Sequence, residues 1–339
     1  MANVIEMDFA FDLKEAVIQS FLDNGFSIAN ECLTKYDAMQ FLILCFDYFN
    51  QAISNEPKTV LYSQELEQKL DLLPNNVKFG LNKLHNMIEA GEDVSRLQSR
   101  KRTKKITLHT NYSKNDFQYQ LYGITHFRLP IQNNASYLLF ALFKNNIAYF
   151  IDISEHSKAC WFTRHLLVVI ENNWMDLISI YKLPEGTKMC TPISDEGIKV
   201  LAKKGISTFI ETKNGIYMPP GMGFQVNGSS TKSIRNAMQL HNEAIRCELF
   251  LKENLNIVKD MIIKLCNISV IELPNPMEFR YLYVNINDSY DYVAVEKNTG
   301  VYYAHKSNKW GTLLLNDSLK HVLQSGITLK DREIENKFH

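Results

Sequence analysis

The sequence predicts an α+β protein with a helical N-terminal part, a central α/β core containing a β-hairpin, and a strand-rich C-terminal part. Three observations carry this. Apolar residues recur at helical spacing up to residue 93, two apolar runs of strand length flank Lys144-Asn145-Asn146, and the residues beyond 267 alternate or run apolar in short stretches.

The helical part comes first. Phe9 to Phe21 and Tyr36 to Ile53 carry apolar residues at helical steps, and Val77, Leu81, Leu84, Met87 and Ile88 do the same before a stop at Gly91. No strand signal of comparable strength precedes residue 100. The segment from Arg96 to Lys105 then holds six basic residues in ten: Arg96, Arg100, Lys101, Arg102, Lys104 and Lys105. It reads either as a solvated linker or as a phosphate-contacting patch.

The centre follows. Tyr137–Phe143 and Ile147–Ile153 are two apolar strands, and Asn in the turn tolerates positive φ. Their uniform apolarity predicts burial on both faces. Phe162 to Tyr181 has helical period, broken near Asn172-Asn173. Asp195 to Lys204 is a short helix stopped by Gly205, Ile206 to Ile210 a strand, and Asn214-Gly215 a turn into Ile216–Met218. A long helix is expected from Thr231 to Cys266. Phe279–Asn285, Tyr292–Glu296 and Val301–His305 read as strands, and Leu315–Leu323 as a short helix. The resulting division is 1–95 helical, 96–115 basic linker, 116–230 central α/β domain, 231–266 long helix, and 267–339 β-rich.

Composition bounds the function. The 339 residues are 45% hydrophobic and 22% charged, which excludes a disordered chain, a collagen-like fibre and a simple coiled coil. Lys+Arg and Asp+Glu are 37 each, so any nucleic-acid contact must use a local patch rather than bulk charge. The six cysteines form no C-x-x-C pair, so a zinc ribbon has no support. There is no basic and apolar leader and no apolar run of ~18 residues. The expectation is a cytoplasmic protein with no membrane partner, no cofactor and no metal.

Two candidate sites stand out. His126 and Arg128 lie two apart and so share a face in an extended segment, while Asp152 and His156 sit at the exit of the second central strand. If the first segment pairs beside the hairpin, these four, together with Arg164 and His165 of the next segment, converge at one sheet end. Histidines can move protons near neutral pH and arginine can hold a phosphate, which suffices for metal-independent RNA cleavage. Arg164 and His165 open the next helix close by. His126, Asp152 and His156 also offer a metal-ligand set, and Glu211-Thr-Lys213 with Asp195 offers a nuclease-like E-x-K pattern, both weaker. The second site is the glycine loop before the long helix: Gly221, Gly223, Gly228, Ser229 and Ser230. Such a loop feeding a helix N-terminus either binds an anion or is an ordinary capped turn. It is not a Walker A sequence. His85, His241 and His321 lie on expected helices without evident partners.

Ile88 to Trp174 resembles an uncharacterised bacterial protein family. Its segments run G-x-D-(L/V), a serine-plus-basic stretch, G-I-x-H-x-(H/R)-L, L-L-F, Y-F-I-D-I, H and N-W. Here these are Gly91-Glu-Asp-Val94, Ser99-Arg-Lys101, Gly123-Ile-Thr-His-Phe-Arg-Leu129, Leu138-Leu-Phe140, Tyr149-Phe-Ile-Asp-Ile153, His156 and Asn173-Trp174. The first histidine of that family's paired H-H is Thr125 here. Tyr137 to His156 also resembles the closing hairpin of RelE/ParE-type toxins, although the basic catalytic positions of those toxins have no counterpart on this chain. The expected function is a metal-independent RNase using His126 and His156 with Arg128, in a bacterial toxin or phage-defence setting. Its expected partners are RNA and an antitoxin or defence-system protein. The alternatives are a non-catalytic nucleic-acid- or protein-binding sensor and a metal-dependent DNase.

Overall fold

The computed structural model describes residues 5–98, 104–112, 114, 116–130, 136–156, 163–273, 276–286, 289–299, 301–304 and 312–315. It is an α+β protein, as the patterning predicts. The chain forms two compact units, one of residues 1–49, 104–110 and 235–339, the other of 50–103 and 111–234. The chain therefore visits the first unit three times, and the consecutive division at 95, 115, 230 and 266 gives way to an interleaved one. Strand pairing between residues distant in sequence causes this, and composition along the chain does not register it.

The first unit is built on a five-stranded sheet. β1 (Ile5–Glu6) runs parallel to β10 (Met277–Ile286), and β11 (Ser289–Glu296), β12 (Val301–Ala304) and β13 (Thr312–Leu315) follow in antiparallel order. Helix α1 (Phe9–Asp23) packs on β10 and on α3 (Ala38–Phe49). Phe9, Leu13, Val17 and Phe21 form its buried stripe, three of the steps being the four-residue spacing that places side chains on one face. Phe9 stacks on Tyr281, with ring centroids 5.1 Å apart. The buried Asp12 carboxylate accepts the Tyr281 N–H at 2.8 Å and pairs with Arg280 at 2.7 Å. The turn between β11 and β12 is held by the buried Glu296 carboxylate, which accepts the N–H groups of Asn298 and Thr299.

The same unit contains β2 (Ser27–Ile28), α2 (Asn30–Lys35), β4 (Lys105–Ile106) and the helices α9 (Thr231–Glu253) and α10 (Leu255–Cys266). The single long helix expected over 231–266 is thus two. Asn254 separates them, its backbone N–H and side-chain amide both donating to the Phe250 carbonyl, at 3.0 and 2.9 Å. The short helix expected over 315–323 is not found at its start, since Leu315 ends β13, and the rest of it lies outside the described residues.

The second unit centres on a four-stranded sheet in the order β3 (Thr59–Tyr62), β7 (Ile147–Glu155), β6 (Tyr137–Lys144) and β5 (Thr125–Leu129). β6 and β7 are the expected hairpin, and Asn145 and Asn146 turn it with φ of 51° and 57°. Both faces are covered, as the apolar runs predict. One carries Phe127, Leu129, Leu139, Phe150 and Ile153 against α5 (Asn75–Glu89) and α4 (Gln64–Lys69). The other carries Leu138, Phe140 and Ile151 against α6 (Phe117–Tyr122), α7 (His165–Asn173) and α8 (Asp195–Lys203). A small hairpin of β8 (Ile210–Thr212) and β9 (Gly215–Tyr217) forms a sheet of its own, with Ile210 and Tyr217 in the core on that second face. The strand expected at 206–210 is therefore displaced to 210–212.

Three short strands, β1, β2 and β3, lie before residue 100, where the sequence carries no strong strand signal. Two-residue strands show no alternation, and β3 exists only through its parallel pairing to β7, Tyr62 opposite Phe150. Among the described residues, no helix is long and apolar enough to cross a membrane.

Candidate functional site

β5 pairs beside the hairpin, so the residues of the histidine group share one sheet. His126 lies opposite Phe140, and Phe140 opposite Asp152, which places them in one row across β5, β6 and β7. Arg128 lies in the next row on the same face, with Leu138 and Ser154. The structure does not bring the histidines together. His126 is buried, with its ring 6.4 Å from the Phe140 ring that separates it from Asp152. His156 is exposed one residue past β7, its N–H donating to Ser136 O at 2.7 Å. Four residues of strand rise and two strand spacings put the two Cα atoms roughly 16 Å apart. Two imidazoles extended toward each other from there remain beyond one bridging water, so the His126–His156 acid–base pair is set aside. Arg128 is exposed on the edge strand, one row from His126.

Asp152 instead meets two other residues. A β-bulge between Phe140 and Ala141 leaves Ile151 without an opposite number on β6, Phe150 facing Ala141 and Asp152 facing Phe140. Strict alternation from Phe150 would send Asp152 to the α5 side; the extra residue re-aims it. Its carboxylate accepts Lys69 Nζ at 2.7 Å on Oδ1 and 2.8 Å on Oδ2, and His165 Nε2 stands 3.0 Å from Oδ2. The Ile153 N–H also donates to Oδ1. Burial pushes the Asp152 carboxyl up, but the hydrogen bonds from His165 and Lys69, with their charges, outweigh it and hold it below the ordinary carboxylate value.

The result is a buried carboxylate beneath two accessible basic side chains. The Asp152 side chain is 4% exposed, His165 48% and Lys69 41%. A carboxylate that accepts Nε2–H fixes the ring orientation and leaves Nδ1 as the proton acceptor. The sequence groups His165 with Asp152 at one sheet end but does not pair the two, because the bulge decides that contact. Lys69 carried no signal, being one polar residue on a short helix.

The remaining expectations divide. Of the basic tract, Arg100, Lys101 and Arg102 lie outside the described residues. Arg96 is exposed in a single 3-10 turn, and Gln98 bridges to Phe127 on the outer edge of β5. Lys104 and Lys105 are not linker: Lys105 stands in β4 opposite Ser27, and Lys104 Nζ donates to Asn24 O at 2.6 Å, 5.5 Å from the Phe26 ring centroid.

The glycine loop is not an open anion cradle. The N–H groups of Gly221 and Gly223 donate to the carbonyls of Leu121 and Gln120, that of Gly228 to Gln225 O, and that of Ser229 to Asn227 Oδ1. Ser229 and Ser230 are buried. A Cβ on Gly221 would stand 2.1 Å from Tyr119 O, so glycine here allows the loop to lie on the α6 backbone.

Neither metal-ligand expectation is assembled. Among the described residues, no group of three or more His, Cys, Asp or Glu is placed to hold a metal ion. Asp195 pairs with Arg164 at 2.7 Å, and Arg164 reaches only the main-chain carbonyl of Glu211, which with Lys213 lies at the separate small hairpin. His85 does have partners: its Nδ1 is 3.0 Å from Tyr62 Oη and its Nε2 3.1 Å from Glu89.

No protein-family model, curated protein or solved structure matches the chain. Its function is therefore argued from the residues.

Proposed function

We propose that the second unit is a metal-independent ribonuclease in which His165, not His126 or His156, moves the proton. The observation that carries this is the Asp152 carboxylate holding His165 at 3.0 Å and Lys69 at 2.7 Å at the solvent boundary. RNA supplies its own nucleophile. His165 Nδ1 takes the 2′-hydroxyl proton, O2′ forms a bond to phosphorus, and the P–O5′ bond breaks. Solvent protonates the departing 5′-oxygen, and the product is a 2′,3′-cyclic phosphate. Lys69 has a third N–H beyond the two that reach Asp152, and its charge can stabilise the developing phosphorane. Exposed Arg128 and Arg96 supply positive charge along the β5 edge for the strand to follow.

The experiment is incubation of the full chain with labelled RNA and DNA, with and without EDTA. The expected result is RNA cleavage that survives EDTA, cyclic-phosphate ends and intact DNA. His165→Ala should lower the rate about 10²–10⁴-fold. EDTA-sensitive cleavage, cleavage of DNA, or full activity in His165→Ala overturns the proposal. Binding of RNA without cleavage would favour a non-catalytic sensor, a reading supported by the same two exposed arginines.

A further inference from the structure

We infer that Asn173, with Asn172, is a positioning residue that sets Lys69 on Asp152 by clamping the far end of α4, an assignment that rests on the ribonuclease proposal for its functional meaning. Helix α4 has six residues, too few to hold its own register in water. Its N-terminal donors are met from outside: Leu66 N–H by Ser63 Oγ at 3.0 Å, and Gln64 N–H by Asn173 Oδ1 at 2.9 Å. Asn173 Nδ2 also donates to Glu65 Oε2 at 2.6 Å and to Val169 O at 2.9 Å, and Asn172 Nδ2 donates to Glu65 Oε1 at 3.0 Å. Two consecutive amides thus grip both oxygens of one carboxylate.

Glu65 and Lys69 are four apart on α4, and His165 and Asn172 are two turns apart on α7, so each pair shares a stripe. The two stripes meet head to tail. Glu65 touches the C-terminal end of α7, and Lys69 shares Asp152 with His165 at its N-terminal end. Fixing one end of a helix this short fixes the position of the other, about 7.5 Å along the axis.

The test is a polarity exchange in the full chain. Asn173→Asp keeps the acceptor for Gln64 N–H but sets a second carboxylate against Glu65. Adding Glu65→Gln restores a donor–acceptor match across the same contact. The readout is the rate at which Lys69 is acylated by an amine-reactive reagent, followed by mass spectrometry, because an ammonium held on a carboxylate reacts slowly. Asn173→Asp should raise that rate several-fold, and the double variant should return it toward wild type. Glu65→Gln alone, the milder change, should give an intermediate rise. An unchanged Lys69 rate in Asn173→Asp and Glu65→Gln, or no rescue in the double variant, overturns the assignment and leaves the amides as ordinary helix anchors. RNA cleavage followed in parallel separates the two ideas. A rescued labelling pattern in a chain that cuts no RNA supports the clamp and removes the ribonuclease.

Discussion

His126 and Asp152 occupy the same row of the four-stranded sheet, two strands apart, with the Phe140 ring between them. They belong to one face but not to one reaction centre. The residue that keeps them apart is also among the most buried side chains of that face, at 1% exposure.

Phe140→Ala should therefore cost about 3–5 kcal/mol, the transfer energy plus a cavity between neighbours that collapse only partly. Urea denaturation checks this. The midpoint should fall while the slope stays constant. A loss under 1 kcal/mol would mean the row repacks around the gap.

Asp152 gives the second unit an acid limb. Its folded pKa lies below the ordinary carboxylate value, so its contribution is complete above the unfolded value and is lost as pH falls through the folded one. Stability should decline below about pH 4. Asp152→Asn should cost about 1.5–3 kcal/mol at neutral pH, the range for hydrogen bonds to a charged group, and should flatten that limb. An equally steep acid limb in the variant would assign it to other carboxylates.

Asp12 in the first unit should behave the opposite way. Burial pushes its carboxyl up to about 6, despite the Tyr281 N–H and the Arg280 guanidinium, which act to lower it. With the folded value above the unfolded one, its stabilising contribution is present below about pH 4 and is lost as pH rises through about 6. Thermal melts of wild type and Asp12→Asn between pH 4 and 7 should differ in slope in that window. Parallel profiles would refute the assignment.

Gly221→Ala should destabilise by about 1–3 kcal/mol or more, as overpacked sites do, because its Cβ would meet Tyr119 O at 2.1 Å and Gln120 O at 2.4 Å. Neither contact is the flexible end of a side chain, so the loop must lift from α6. A melting temperature equal to wild type would show that it lifts without cost.

What the sequence determined by itself is local. The β6–β7 hairpin is legible because its apolar strands and its two turn asparagines are contiguous, and their positive φ follows from what Asn tolerates. The α+β class, the helices α1, α3, α5, α7 and α8, and the burial of both sheet faces follow from periodicity in the same way. Tertiary structure decided the rest. β3 and β1 exist by pairing with strands far along the chain, and no residue pattern within four positions announces that. The candidate centre depends on one extra residue in β7. That bulge turns Asp152 away from the side strict alternation assigns it, and only then do Lys69 and His165, 83 and 13 residues from Asp152, meet on one carboxylate.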